Sequence, residues 1–324
     1  MTRRYRTTTA TPALLALCAL MAGLPATAAP KASTQPAIER TQWNGQPALR
    51  LSNGVADVVV VPSISRIIRF GFAGGRNLLW INHTDKLHNF GVWTNWGGSR
   101  TWLGAENRWA MIAGPKGPDP VWADRPARVV RASQGHIVLA TQRSRLTGIR
   151  IVRDISFDAR GRLIIDQSLD KQGGAPVDVD IWQVTQIAPP DSIEMPVRPD
   201  SPYKNSYYSI CGDTASFVQP LSPSSIALKH SSTGDYKVGA DAPVASLTAI
   251  LGDVRLTVAG QKVDGTYPDG AVGHGFPVEI WNSGVKDGDY NELEMLSPIQ
   301  VLKSGGTYHY TLTWTLSREN SVTH

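Results

Sequence analysis

The chain has 324 residues, with 32 Lys and Arg against 27 Asp and Glu and a formal charge of +5. Three of those positive charges, Arg3, Arg4 and Arg6, precede the apolar run Pro12 to Leu24, so the remainder carries only +2. That weak balance, without any basic block, argues against nucleic acid as a partner, and a cysteine complement of Cys18 and Cys211 alone excludes a disulfide framework.

The basic start, the apolar run and the small-residue site Ala26-Thr27-Ala28 make the pattern of a secretory signal peptide over residues 1–28. The run is shorter than the about 20 apolar residues that a spanning helix needs. No later segment is long and apolar enough, so no membrane span is expected once the signal is removed. Leu17 stands where a lipid-attachment cysteine would need a small residue, so Cys18 is not read as one. The expected destination is the periplasm or the outside of the cell. Residues 29–46 read as a linker or first edge, 47–318 as a single domain, and 319–324 as a tail.

From Pro47 onward the chain reads as strand after strand. Runs at Ala48–Leu51, Val55–Val61, Ile64–Phe72 and Leu78–Ile81 come first. After an irregular stretch, about 82–126, come His136–Gln142, Ile149–Phe157, Arg162–Leu169 and Val177–Ile187. A second irregular stretch, about 188–224, precedes Ser246–Leu251, Val254–Ala259, Pro277–Trp281, Asn291–Leu296 and Thr307–Leu316. These runs alternate with period 2, favour β-branched residues and end at Gly, Pro, Asn or Asp. Asp158-Ala159-Arg160-Gly161 reads as a hairpin turn. No amphipathic helix and no fixed-period repeat is present, so the expected class is all-β, a large antiparallel sandwich. The two irregular stretches exceed ordinary connections, and long loops on β scaffolds commonly bind ligands.

Six of the ten tryptophans fall between residues 80 and 122: Trp80, Trp93, Trp96, Trp102, Trp109 and Trp122. They are interleaved with Asn82, Asn95, Arg100, Glu106, Asn107 and Arg108. Tryptophan faces stack on the apolar faces of sugar rings, while amides, guanidinium and carboxylates bond the hydroxyl edges. Rings that merely plug one end of a sandwich are the competing reading for any single Trp; for the cluster, a carbohydrate site is the expectation. In a strand over Tyr290 to Met295, Glu292 and Glu294 share one face and Leu293 and Met295 the other. Such a carboxylate on a concave face suits a general base, against the plainer alternative of two solvated glutamates. His83, His88 and His274 lack metal-ligand spacing, and no metal or cofactor is expected. Lys237 and Arg66 read as isolated charges, solvated or paired.

The chain resembles the galactose mutarotase-like superfamily, and within it a group of exported bacterial domains. The residues that carry the likeness are Asn53-Gly54-Val55-Ala56-Asp57-Val58 with Pro62 and Ser65-Arg66-Ile67-Ile68, then Asn95-Trp96-Gly97-Gly98 with Trp102, then Ile181-Trp182-Gln183-Val184-Thr185-Gln186, and Glu292-Leu293-Glu294 running to Pro298, Leu302 and Gly305-Gly306. The resemblance implies a large antiparallel β-supersandwich with a sugar site on a concave face. It also implies that Glu294 is the base at the anomeric hydroxyl, with Glu292 as the alternative register. The two histidines of mutarotases have no counterpart in Asn95-Trp96-Gly97-Gly98 or in Val184-Thr185-Gln186. Arg100 and His274 are the candidates to replace the missing acid. Arg66, Trp93, Asn95, Trp96, Arg100, Trp102, Gln186 and Glu292 form the expected substrate-binding set.

The leading expectation is an exported carbohydrate-binding or carbohydrate-processing protein with a mono- or oligosaccharide as partner. The alternatives are a sugar epimerase or lyase that uses Glu294 as base, and a non-catalytic envelope assembly protein.

Overall fold

The computed structural model describes residues 36–83, 93–104, 107, 109–112, 114, 117–270 and 275–319. The expected signal peptide over 1–28, and also His88, Glu106, Arg108 and His274, lie outside the described residues.

Along the chain the strands are β1 (Ala37–Trp43), β2 (Gln46–Ser52), β3 (Ala56–Val61), β4 (Arg66–Phe72), β5 (Ser99–Leu103), β6 (Arg128–Ser133), β7 (His136–Ala140) and β8 (Ile149–Phe157). Next come β9 (Leu163–Lys171), β10 (Val177–Val179), β11 (Ile181–Ile187), β12 (Ser192–Pro196), β13 (Tyr208–Cys211), β14 (Val218–Ser222) and β15 (Ser225–Leu228). The last are β16 (Tyr236–Ala240), β17 (Ser246–Leu251), β18 (Val254–Gly260), β19 (Val278–Asn282), β20 (Asn291–Leu296), β21 (Gln300–Leu302) and β22 (Thr307–Arg318). Twenty of them form two ten-stranded sheets, and β10 with β21 makes a separate two-stranded one. The first runs β1-β2-β3-β4-β5-β11-β20-β19-β16-β13, and the second β14-β15-β12-β17-β18-β22-β9-β8-β7-β6. Every strand pairing among the described residues is antiparallel. The expected all-β supersandwich is what folds.

The inner faces of both sheets share one apolar core, in which Phe70 of β4 meets Trp314 of β22 edge-on at 5.2 Å. In β8 and β9 burial alternates residue by residue, as a strand with one solvated face requires. The turn between them forms as expected: Asp158 Oδ1 accepts from the Arg160 and Arg162 N–H groups at 2.9 Å, and Gly161 takes the left-handed φ of 78°. In the middle of the first sheet the pattern differs. Every residue of β5, β11 and β20 is buried, so the outer face there is covered too.

Three expectations about the chain are revised. The run Val177–Ile187 breaks at the buried Asp180: β10 pairs with β21, whereas β11 joins the first sheet. Leu78–Ile81 makes only isolated bridges, Leu79 to Ile187 and Ile81 to Gly97. The first irregular stretch contains β5 and two single-turn helices, α1 (Trp109–Ile112) and α2 (Pro120–Ala123), and the second contains β12 to β14. Helix α2 starts where the sequence supplies both signals for it. The Asp119 side chain accepts from Val121 N–H at 2.9 Å, and Pro120 opens the turn.

Candidate functional site

The period of a strand decides which side chains meet. On β5 and β11, Ser99, Thr101, Gln183 and Thr185 point between the sheets. There Thr101 reaches both Gln183 and Gln167 of β9, and Ser99 lies 3.2 Å from the Thr185 hydroxyl. This buried polar net ties the sheets together beneath the site and gives its members hydrogen-bond partners there. The intervening residues, Arg100, Trp102, Trp182, Val184 and Gln186, must therefore point outward. Registers place Trp102 opposite Trp182, Gln186 opposite Glu292, Glu294 opposite Glu279, and Trp281 opposite both Glu292 and Lys237. Leu293 and Met295 go into the core, which fixes Glu292 and Glu294 on the outward face.

That face is the floor of a cleft of about 790 Å³, within the usual size of ligand pockets, roughly 300–1,000 Å³. Five tryptophans line it: Trp93, Trp102, Trp109, Trp182 and Trp281. Trp102 is their hub, edge-on to Trp93 at 5.2 Å, Trp109 at 5.0 Å and Trp182 at 5.5 Å. Arg100 lies over Trp102, 3.9 Å from the ring centroid, and 5.0 Å from Trp93. Asn107 donates to Asp269 at 2.5 Å across the rim, where a second, more open groove of about 360 Å³ abuts the cleft and shares both residues.

The floor carries a row of charges. Lys237 Nζ sits 2.8 Å from Glu279 Oε2 and 2.9 Å from Glu294 Oε2. Burial opposes the lysine's charge, but the two carboxyl groups outweigh it and hold its pKa well above the usual lysine value. Burial pushes Glu279 well above the usual carboxylate range, against the opposing charge of Lys237. Gly239, opposite Glu279, packs against Phe276: a Cβ there would come 2.3 Å from the ring. Glu294 Oε2 also accepts from Trp182 Nε1 at 2.7 Å, whereas its Oε1 is buried with no partner among the described residues. Glu292 Oε1 accepts from Gln186 Nε2 at 2.8 Å and from Arg100 Nη2 at 3.3 Å. Burial raises Glu292 to about 7; the charge of Arg100 opposes the rise and that of Glu294 adds to it. The Tyr290 phenol, bonded by Asn95 Nδ2 at 3.0 Å, is pushed up by burial and by Glu292.

Of the sequence-derived set, Trp93, Arg100, Trp102, Glu292 and Glu294 line the cleft. Gln186 stands behind Glu292, and Asn95 behind Tyr290. Trp96 packs on Trp43 at 6.1 Å, beside the small apolar cluster of Ala48, Val59, Val61, Ile64 and Ile68, away from the cleft. Arg66 is fully buried, 3.7 Å from Asp124, and burial with the nearby Arg100 charge lowers its pKa to about 9. Arg100 lies against Glu292 and the indoles. Trp80 stacks on Tyr290 at 4.3 Å. Sequence reasoning missed Glu279, Tyr290, Trp182 and Trp281, and it read Lys237 only as a solvated or paired charge. Pairing is what the structure shows, but with two glutamates at once.

No family model matches the sequence, and no curated protein matches it. Solved structures do match the fold. One is a proposed aldose 1-epimerase from Escherichia coli K12, with a TM-score of 0.59 at 10% identity over 88% of this chain and 100% of that one. Another is a galactose mutarotase-like protein from Lactobacillus casei, with a TM-score of 0.58 at 11% identity over 83% of this chain and 100% of that one. A third is a proposed mutarotase from Salmonella typhimurium, with a TM-score of 0.55 at 12% identity over 87% and 94%. The chain therefore has the galactose mutarotase-like fold.

Proposed function

We propose that the protein is exported and takes a carbohydrate into the tryptophan-lined cleft, where Glu294 acts as a base on the anomeric hydroxyl. One observation carries the reading. Glu294 Oε1 is a buried carboxylate oxygen at the floor of a ligand-sized cleft, and among the described residues it has no hydrogen-bond partner. A buried acceptor left empty is costly, and a hydroxyl donor from a ligand would satisfy it. Its sister oxygen is held by Lys237 and Trp182, which fixes the carboxylate's direction. The indoles offer faces to the C–H side of a pyranose, and the fold is one that solved sugar-epimerase-like proteins share. The N-terminal basic, apolar and small-residue pattern supports export.

Removing the anomeric proton turns C1–O1 into a carbonyl and opens the ring, provided the ring oxygen gains a proton as its bond to C1 breaks. Rotation about C1–C2 and reclosure then yields the other anomer. Ligand-observed NMR on the protein without its signal, across neutral mono- and oligosaccharides, tests this. Saturation transfer with accelerated anomer exchange that Glu294→Gln abolishes is the expected result. Transfer without exchange would reduce the protein to a binding module, and silence throughout would move the weight to an envelope partner.

A further inference from the structure

We infer that Glu292 is the acid partner of Glu294, delivering the proton to the ring oxygen that mutarotase histidines would otherwise supply. The inference rests on the carbohydrate reading of the cleft. It is carried by placement. Glu292 and Glu294 stand two positions apart on one face of β20, so their Cα atoms are separated by about 7 Å at the rise of an extended strand. Both line the cleft. The anomeric hydroxyl and the ring oxygen share one carbon, so a sugar seated between the two carboxyl groups meets one at each oxygen.

The other candidates on the floor fail for stated reasons. Glu279 is fully buried and does not line the cleft. Lys237 is held between two carboxyl groups, and they favour keeping its proton. The Tyr290 phenol faces Asn95 and is raised by burial. At Glu292, the donors Gln186 and Arg100 converge on Oε1. The proton of the acid form therefore sits on Oε2. The groups that set its charge come from every neighbouring element: Arg100 from β5, Lys237 from β16, and Glu294 from its own strand. Arg66 of β4 also couples to it, as does the adjacent Tyr290. Their balance, dominated by burial, leaves the group near half-protonated at neutrality, which is where a general acid and base works best.

The step balances. Glu294 takes the hydroxyl proton, the O1 electrons form the C1 carbonyl, the C1–O5 pair leaves with oxygen, and Oε2 of Glu292 protonates it. Ring closure on the other face returns both protons, so no co-reactant is consumed.

The test is NMR anomer exchange on D-glucose, D-galactose, D-mannose and D-xylose with wild type, Glu292→Gln and Glu292→Asp. Each is followed from about pH 5 to about pH 9, around the range in which such a group titrates. For wild type we expect an alkaline limb in kcat/KM centred on about 7. For Glu292→Gln, kcat should fall by about 100-fold or more, with KM little changed and the alkaline limb gone. Glu292→Asp should restore part of the rate together with a limb. A wild-type profile flat across the range overturns the inference without needing any variant. So does a Glu292→Gln variant that keeps the wild-type rate, or one that loses rate while retaining the limb. Wild type that exchanges none of the four sugars overturns the base assignment itself and takes this inference with it. That outcome is distinct from an active wild type with an indifferent Glu292.

Discussion

Replacing Glu292 by glutamine should change how stability depends on pH, whatever ligand the cleft takes. Burial moves this carboxyl from the ordinary glutamate value of 4.5 to about 7. Between those values the folded chain holds a proton that the unfolded chain has lost. The group's stabilising contribution is therefore complete below 4.5 and disappears as pH rises through about 7. At about 1.4 kcal/mol per pH unit, the whole loss amounts to about 3 kcal/mol. A glutamine side chain at this position does not titrate. It will carry a constant penalty or gain from its contacts with Gln186 and Arg100, and that offset cancels when the variant is compared with itself across pH. Urea unfolding of both proteins from about pH 4 to about pH 9 gives the difference directly, because the midpoint tracks stability when the slope is unchanged. Relative to wild type, the variant should gain about 3 kcal/mol between the two ends of the range. A difference constant to within about half a kcal/mol, the scatter of ordinary surface changes, would refute the account of Glu292 as a buried acid.

Lys237→Met should cost about 3–5 kcal/mol at alkaline pH, because it strands Glu279 and Glu294 facing each other without a cation. The cost should shrink on acidification as Glu279, which burial holds well above the usual carboxylate range, takes up its proton, and urea curves showing an equal loss at both ends would contradict this. Trp102→Ala should cost about 3–5 kcal/mol, as expected for a buried indole, and should weaken saturation transfer from any sugar that binds. Trp96→Ala should lower the Tm yet leave that transfer unchanged, since Trp96 packs on Trp43; a loss of binding in Trp96→Ala alone would mean that the cleft is misplaced. Gly239→Ala should cost about 1–3 kcal/mol by forcing Phe276 aside, and calorimetry showing wild-type stability would remove the reason given for glycine there.

What the sequence disclosed depended on whether one face of a strand was wet. β8 was legible at both ends because polar and apolar residues alternate along it, and β20 because Leu293 and Met295 alternate with the glutamates and turn signals bound the run. β5 was not. Its residues Ser99 to Leu103 show no apolar alternation, because the inward face holds Ser99 and Thr101 in a polar net while the outward face holds Arg100 and Trp102 under the aromatic cover. β16, which carries Lys237, is short and includes Gly239, so it offers little strand signal. Glu279 gave no signal within its own strand, since the cation that accounts for it lies 2.8 Å away in space but on another strand. Among the tryptophans, spacing could not separate Trp102 from Trp96. The fold turns one into the cleft and the other onto Trp43.

The aromatic cover and the acid–base chemistry depend on each other through Arg100. A guanidinium gripping Glu292 in a short two-pronged pair would hold that carboxyl ionised. Here Trp102 holds the guanidinium at 3.9 Å from its ring centroid. From there a single nitrogen reaches Glu292 Oε1, at 3.3 Å, with Nε and Nη1 unpartnered among the described residues. The attraction that remains is too weak to undo the cost of burying the charge, so Glu292 keeps its proton to about 7. At Glu294 the contacts are tighter, 2.7 Å from Trp182 Nε1 and 2.9 Å from the Lys237 ammonium, and both converge on one oxygen. Two glutamates on one strand face, with the same side chain and nearly the same burial, thus meet different surroundings because of where neighbouring indoles hold their cations. Widening the Arg100 contact would leave Glu292 less often ionised, and shortening it would leave it ionised more often. The stacking on Trp102, which looks like packing alone, sets that distance.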